Sequence, residues 1–358
     1  MSAAARPLPA ALVEAVQRNC DIADAAHAAE LSLCNFLLQM REYYRWQQGL
    51  GFDAALARDE VGRWLAETES RWDALQGEPF EPLPLGAARL DPFDLDAANA
   101  WLIPRGWVYG AGLAGPGRAG FFLAELKQLE RELAAAPALT VQHAGRELAR
   151  GLFAPPAALQ GRTVVLRHAS IERWLWERYE AFALRRGDVP FAAVARSFGL
   201  HDTPSFLAAL PRLAALQSRV LLWHEIGEHR AARTLEPGWG ALRLAVHDRC
   251  AALWLRAVRD HLADLRVTLP ALLDEGPSEA LHLWFSHHEG AHAALFPGLA
   301  DAYRAWCAGD GGRALRRACA RGEAHFEALA QELLRLADDI FLGELRRPGL
   351  RRHIPQAE

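Results

Sequence analysis

The stretch Trp223-His224-Glu225-Ile226-Gly227-Glu228-His229 places two histidines and two glutamates within six residues of an otherwise apolar, helix-favouring run. At about 100° per residue, a helix through it projects His224, Glu225 and Glu228 into one sector with Gln217 and Leu221, while Trp223, Ile226 and Arg230 point roughly the other way. Burying imidazoles and carboxylates on one helical turn is costly unless something cationic neutralises them. The spacing therefore predicts a helical metalloprotein in which one helix offers several ligands to a shared centre.

Downstream, two more helical stretches carry ligand-type side chains at one-turn spacing. In Asp260-His261-Leu262-Ala263-Asp264 the two aspartates are one turn apart and His261 is three residues from Asp264. The other runs through His282, His287, His288, Glu289 and His292, and as one helix it sets His282, Phe285, Glu289 and His292 in a common sector. Glu289-Gly290-Ala291-His292 has the Glu-x-x-His spacing of di-iron and di-manganese bundles, where carboxylates neutralise two cations. Apolar periodicity with Gly and Pro punctuation predicts helices over about 170–186, 190–198, 203–210, 213–235, 242–265, 278–295, 299–308 and 313–345.

Upstream, the pattern is helical over about 8–48 and 53–75, with Trp64, Trp72 and Leu75 on one side of the second helix. The first carries Cys20, Asp24, His27, Leu31, Cys34, Leu38 and Glu42 on one stripe, read as a core face with buried thiols. Pro79, Pro82, Pro84 and Pro92 predict a long extended connection. Apolar runs then shorten to Trp107-Val108-Tyr109, Leu139-Thr140-Val141 and Thr163-Val164-Val165-Leu166, which are β-like, with a helix expected over 118–135 between them. The fold class read from this is mainly α, a helical bundle with a small β-containing insertion. Its parts are an N-terminal helical region over 1–99, a small α+β insertion over 100–168 and a C-terminal bundle over 169–358 with the candidate metal site.

Composition sets limits on the rest. With 358 residues, 51% of them hydrophobic, the chain can build a large core without staples. Five cysteines without a CxxC pair argue against a disulfide framework and against thiolate zinc. Met1 to Pro9 lacks the basic start and apolar run of a signal peptide, and no apolar stretch has the length of a membrane span, so a cytoplasmic protein is expected. A net charge of −4 with both signs interspersed gives no field for nucleic acid or an anionic membrane. Lys127 is the one lysine, which leaves no other residue for a Schiff base. Tryptophan-rich faces such as that of Trp174 and Trp176 serve as core or subunit contacts, leaving a homo-oligomer open.

Several motifs match only in form. Gly110-Ala111-Gly112-Leu113-Ala114-Gly115 follows a β-like run as a dinucleotide loop does, but the βαβ unit around it is missing. Ser205 to Leu210, the would-be recognition helix of a helix-turn-helix starting near Val194, has no basic or amide side chain for DNA. His224-Glu225-x-x-Glu228 departs from the zinc-protease motif, which needs histidine where Glu228 stands. His247-Asp248 is similar to the His-Asp pair of metal-dependent phosphohydrolases but lacks their upstream histidine; beside Cys250, Ala251 and Trp254, His247 reads as a core residue.

Four longer strings stand out as a set. They are Asn19-Cys20-Asp21-Ile22-Ala23-Asp24-Ala25, Leu37-Leu38-Gln39-Met40-Arg41-Glu42-Tyr43-Tyr44-Arg45-Trp46, Leu222-Trp223-His224-Glu225-Ile226-Gly227-Glu228 and Arg256-Ala257-Val258-Arg259-Asp260-His261-Leu262-Ala263-Asp264. Together with Glu147-Leu148-Ala149-Arg150, Ala154-Pro155-Pro156-Ala157 and Phe296-Pro297-Gly298-Leu299, the chain resembles an uncharacterised bacterial protein family of unknown function along nearly its whole length. The resemblance implies no reaction. It draws attention to His224, Glu225, Glu228, Asp260, His261, Asp264 and His282.

The expectation is thus a metal-dependent oxidoreductase acting on a small-molecule substrate, with iron or manganese favoured and zinc as an option. His224, Glu228, His261, Asp264 and His282 are the candidate ligands and Glu225 the proton-transfer group. Glu42, Asp260, His288, Glu289 and His292 are further residues whose part the sequence leaves undecided. A mononuclear zinc hydrolase on the same residues, and a scaffold whose histidines and carboxylates merely pair, are the alternatives.

Overall fold

The computed structural model describes residues 5–28, 31–113, 119–185, 189–246 and 248–341, and it divides into two compact units, Met1–Glu177 and Arg178–Glu358. The fold is mainly α with a small β part. In chain order the elements are α1 (Ala10–His27), α2 (Leu33–Gln47), α3 (Arg58–Leu75), β1 (Leu83–Leu85), β2 (Ala88–Leu90), α4 (Leu95–Leu102), β3 (Trp107–Leu113), β4 (Ala119–Glu130), β5 (Thr140–Arg150), β6 (Ala157–Gln160) and β7 (Thr163–Arg167). There follow α5 (His168–Arg185), α6 (Val189–Phe198), α7 (Thr203–Leu235), α8 (Gly238–Ala245), α9 (Arg249–Ala263), α10 (Leu269–Glu275), α11 (Ser278–Phe285), α12 (Gly290–Leu295), α13 (Gly298–Cys307) and α14 (Arg313–Phe341). Among the described residues no helix is long and apolar enough to cross a membrane.

In the first unit a five-stranded sheet has the order β3-β4-β5-β7-β6, antiparallel except where β5 runs parallel to β7. One face packs Trp107, Tyr109, Phe121 and Leu123 against Leu12, Val16 and Cys20 of α1 and Leu102 of α4. The helix expected over 118–135 is instead strand β4. Its Ala, Leu, Glu and Lys favour helix, but Phe121 to Ala124 are buried on both faces, and pairing with β3 and β5 outweighs local propensity. The single helix expected over 8–48 is two helices. The proline-rich connection is not a free linker: it contains the β1–β2 hairpin, whose Leu83 and Leu85 are buried in the same core. The Gly110 to Leu113 run lies within antiparallel β3 and so cannot be a dinucleotide loop; Ala114, Gly115 and Arg118 lie outside the described residues.

Buried charge is concentrated beside this sheet. Arg167 faces Glu147 with Nε and Nη2 each 2.7 Å from Oε1, while Ser170 Oγ donates to the same carboxylate from 3.2 Å. Arg150 Nε stands 3.9 Å from the other oxygen of Glu147, and its guanidinium lies over the rings of Tyr43 and Trp46. Asp24 accepts the Leu152 N–H at 2.7 Å, and burial pushes its pKa up to about 8.

The second unit is all helix among its described residues. The two helices expected over 203–235 are one 33-residue helix, α7, which carries Pro211 inside and is capped by reciprocal Asp202 and Ser205 bonds. The helix expected over 242–265 divides into α8 and α9; His247 lies outside the described residues, and Asp248 is the N-cap that accepts Ala251 N–H. After α9 the chain makes a π turn, Asp264–Thr268, in which Leu269 N–H reaches back to Asp264 O. The next residue is Pro270, which has no N–H with which to continue an α register here.

Candidate metal centre

The centre is built where α7 crosses α9. Gly227 allows that crossing: a Cβ on it would fall 2.5 Å from the backbone oxygen of Ala263, so the two helices touch through backbone at this point. Glycine between Glu225 and Glu228 is therefore a packing requirement of the site itself.

His224, Glu228 and Asp260 each present one ligand-type atom, and these atoms lie within 4.8 Å of one another. His224 Nδ1 is 2.8 Å from Asp264 Oδ1, which leaves Nε2 facing Glu228 Oε1 at 4.0 Å. Two donors held at about 2.0–2.2 Å from one ion stand no more than about 4.4 Å apart, so this pair is within ligating range. The second oxygens are also engaged. Arg259 Nη2 donates to Glu228 Oε2 at 2.7 Å, and His292 Nε2 lies 3.0 Å from Asp260 Oδ2. All three donor side chains are partly buried.

Electrostatics follow from this packing. Burial opposes charge on His224, yet contact with Asp264, reinforced by Asp260 and Glu228, holds its pKa well above the ordinary value. Burial likewise opposes ionisation of Asp264 and Asp260, and the imidazoles of His224 and His292 overcome it, so both carboxyls sit below their usual range. Glu225 goes the other way. Burial, and then repulsion from Glu228, push it up to about 8, and its Oε2 has no hydrogen-bond partner.

Not all of the predicted ligands converge here. His261 donates from Nε2 to the backbone oxygen of His292 at 2.9 Å and stacks on Phe326 at 4.6 Å. Burial, with His292 and His288 nearby, lowers its pKa to about 3, so it is neutral with a buried, unpartnered Nδ1. It thus supports the segment carrying His292. His282 is held elsewhere, Nδ1 2.7 Å from Tyr303 Oη and its ring against Trp306. Asp264 orients His224 rather than being one of the three clustered donors. Asp260, which the sequence left undecided, is the third.

The Glu-x-x-His spacing does not survive folding. The helix expected over 278–295 breaks after Phe285, Gly290 takes φ +60°, and Glu289 turns out to pair with Arg178 at 2.9 Å. Only His292 of that pair reaches the centre. Glu42 belongs to the other unit, where it pairs with Arg41 and Arg45. Arg259 was missed altogether, since ligand chemistry does not select arginine; its one signal is position, next to Asp260.

No curated protein matches the chain, and no solved structure does. Two family models do match, one over residues 11–167 and the other over 172–344. They are the N-terminal and C-terminal domains of one family, and the chain belongs to it: DUF6866, a family of unknown function.

Proposed function

We propose that the unit Arg178–Glu358 carries the catalytic centre of a metal-dependent oxidoreductase, with one divalent ion of the iron or manganese type held by His224, Glu228 and Asp260. The observation that carries this reading is the pairing of His224 Nδ1 with Asp264 at 2.8 Å, which frees Nε2 to face Glu228 in the cluster that Asp260 completes. A carboxylate behind a ligating histidine fixes its tautomer and raises its basicity. One nitrogen and two oxygen donors suit iron or manganese better than a thiolate-free structural zinc site, and three protein donors leave positions for a small-molecule substrate. A single ion is favoured because the one Glu-x-x-His pair, Glu289 and His292, is broken at Gly290.

When bound, the ion supplies Lewis acidity and one-electron chemistry. Glu225 lies against the donors with one carboxyl oxygen unpartnered, and it is placed to take or return a proton. Arg259 holds Glu228 and His292 holds Asp260, so both carboxylates are oriented before any ligand arrives. The five cysteines are all free, which fits a reducing compartment, and we place the protein in the cytoplasm.

The contacts of Arg259 and His292 also favour a second reading, a self-neutralised ion network that braces α7 against α9 without metal. Elemental analysis of untagged protein purified without chelator separates the two. About one iron or manganese per chain, lost in His224→Ala with helix content retained, supports the oxidoreductase. One zinc without redox-active absorption points to a hydrolase, and no metal after anaerobic reconstitution points to the bracing network.

A further inference from the structure

The sheet of the first unit has one face packed against helices and one that is partly bare. Alternation puts Val108, Gly110 and Gly112 of β3 and Gly120, Phe122 and Ala124 of β4 on the second face, with Gly110 opposite Phe122 and Gly112 opposite Gly120. Glycine inside a strand weakens it and often marks a place where a ligand or another backbone comes close. Gly110 is already covered, since a Cβ there would fall 2.1 Å from the Phe122 ring. The other two are not. A Cβ on Gly120 would meet nothing within 4 Å, and one on Gly112 only Gln160 Nε2 at 3.6 Å.

These two glycines border a cavity of about 610 Å³, a size typical of small-molecule sites. Phe93, Leu113 and Phe153, among the large apolar side chains that the described surface leaves exposed, all line it, and Phe121 and Phe122 add two further rings. Arg167 also lines it and is 4% exposed. Its guanidinium lies over the Phe122 ring at 4.3 Å, and Nε and Nη2 face Glu147. Nη2, although 2.7 Å from the Glu147 carboxylate, is buried and makes no hydrogen bond among the described residues.

Three guanidiniums gather here against two carboxylates, Glu147 and the Glu177 that lies 3.5 Å from Arg173. Glu147 is surrounded by Arg167, Arg150 and Arg173, and burial together with Arg173 brings the Arg150 pKa down to about 10.

We propose that this cavity binds a small aromatic monocarboxylate, its ring laid on Phe122 over Gly112 and Gly120 and its carboxylate on Arg167. Glu147 already balances the charge of Arg167, but Nη2 has no acceptor, and a ligand carboxylate supplies a charge-assisted one that a neutral group matches only weakly. A multiply charged anion would be repelled by Asp94 and Asp96, which also line the cavity. This inference is independent of the metal centre, which belongs to the other unit.

The test is isothermal titration of the full chain with 2-naphthoate and with its neutral isostere, 2-naphthamide. Naphthoate is expected to bind one per chain and the amide at least ten-fold more weakly. Gly120→Leu, filling the open space, is expected to weaken naphthoate at least ten-fold at an unchanged melting temperature. Should that variant fail to fold, Phe153→Ala, at a half-exposed ring, is expected to weaken it several-fold. Equal binding of acid and amide, full affinity in the folded variants, or no binding at millimolar naphthoate would each overturn the proposal.

Discussion

His224 and Asp264, 40 residues apart, meet through a 2.8 Å contact between Nδ1 and Oδ1 that ties the middle of α7 to the first residue of the π turn. Asp264→Asn keeps the shape of that contact and removes its charge. Metal affinity is expected to fall by about 10–100-fold, the usual effect of losing a carboxylate behind a histidine ligand. Competition with a chromophoric chelator measures it, and unchanged affinity would remove Asp264 from the centre.

Glu225 supplies none of the three clustered donors. Glu225→Gln is therefore expected to retain the metal that His224→Ala loses, while any turnover found for the protein drops by about 10²–10⁴-fold, the range for a general acid–base group. Loss of metal from the glutamine variant would make Glu225 a ligand instead.

Gly227 has no room for a side chain. Gly227→Ala must push α7 away from the backbone of Ala263, now 2.5 Å from the would-be Cβ. The expected cost is about 1–3 kcal/mol by overpacking, although alanine is the better helix former. A urea midpoint equal to wild type would show that the helices separate freely.

Asp24 gives a pH dependence of known sign. Its folded pKa is raised from 3.8 to about 8 by burial, so the folded state keeps a proton that the unfolded chain releases. The stability it contributes is full below about pH 4 and is lost as pH rises towards about 8, at no more than about 1.4 kcal/mol per pH unit. Asp24→Asn retains an acceptor for Leu152 N–H and does not titrate. Its denaturation midpoint is expected to gain on wild type progressively from pH 4 to 8, and parallel curves would refute the buried neutral aspartate.

Glu147→Gln strands Arg167 and Arg150, both buried, without their shared carboxylate. Breaking such a pair from one side costs about 3–5 kcal/mol. Thermal melts of the variant against wild type check the figure.

The helix bearing His224 and Glu228 was legible because its signal is local, as was the one-turn spacing of Asp260 and Asp264. What failed was non-local. β4 is made of helix-forming residues and becomes a strand only because β3 and β5 lie on either side of it. The contact of Arg259 with Glu228 depends on how closely Gly227 lets two helices approach. The break between α11 and α12 did have a local sign in Gly290, but histidine and glutamate periodicity ran through it and masked it.

The order of strands has a consequence for synthesis and fragment design. β7 lies between β5 and β6 although it is the last strand made. A nascent chain ending before residue 157 has β5 complete and its outer edge unpaired, a row of free backbone groups of the kind that recruits other chains. Residues 157–167 therefore serve as an internal shield against aggregation, and a fragment of the first unit expressed without them is expected to precipitate where one carrying them stays in solution.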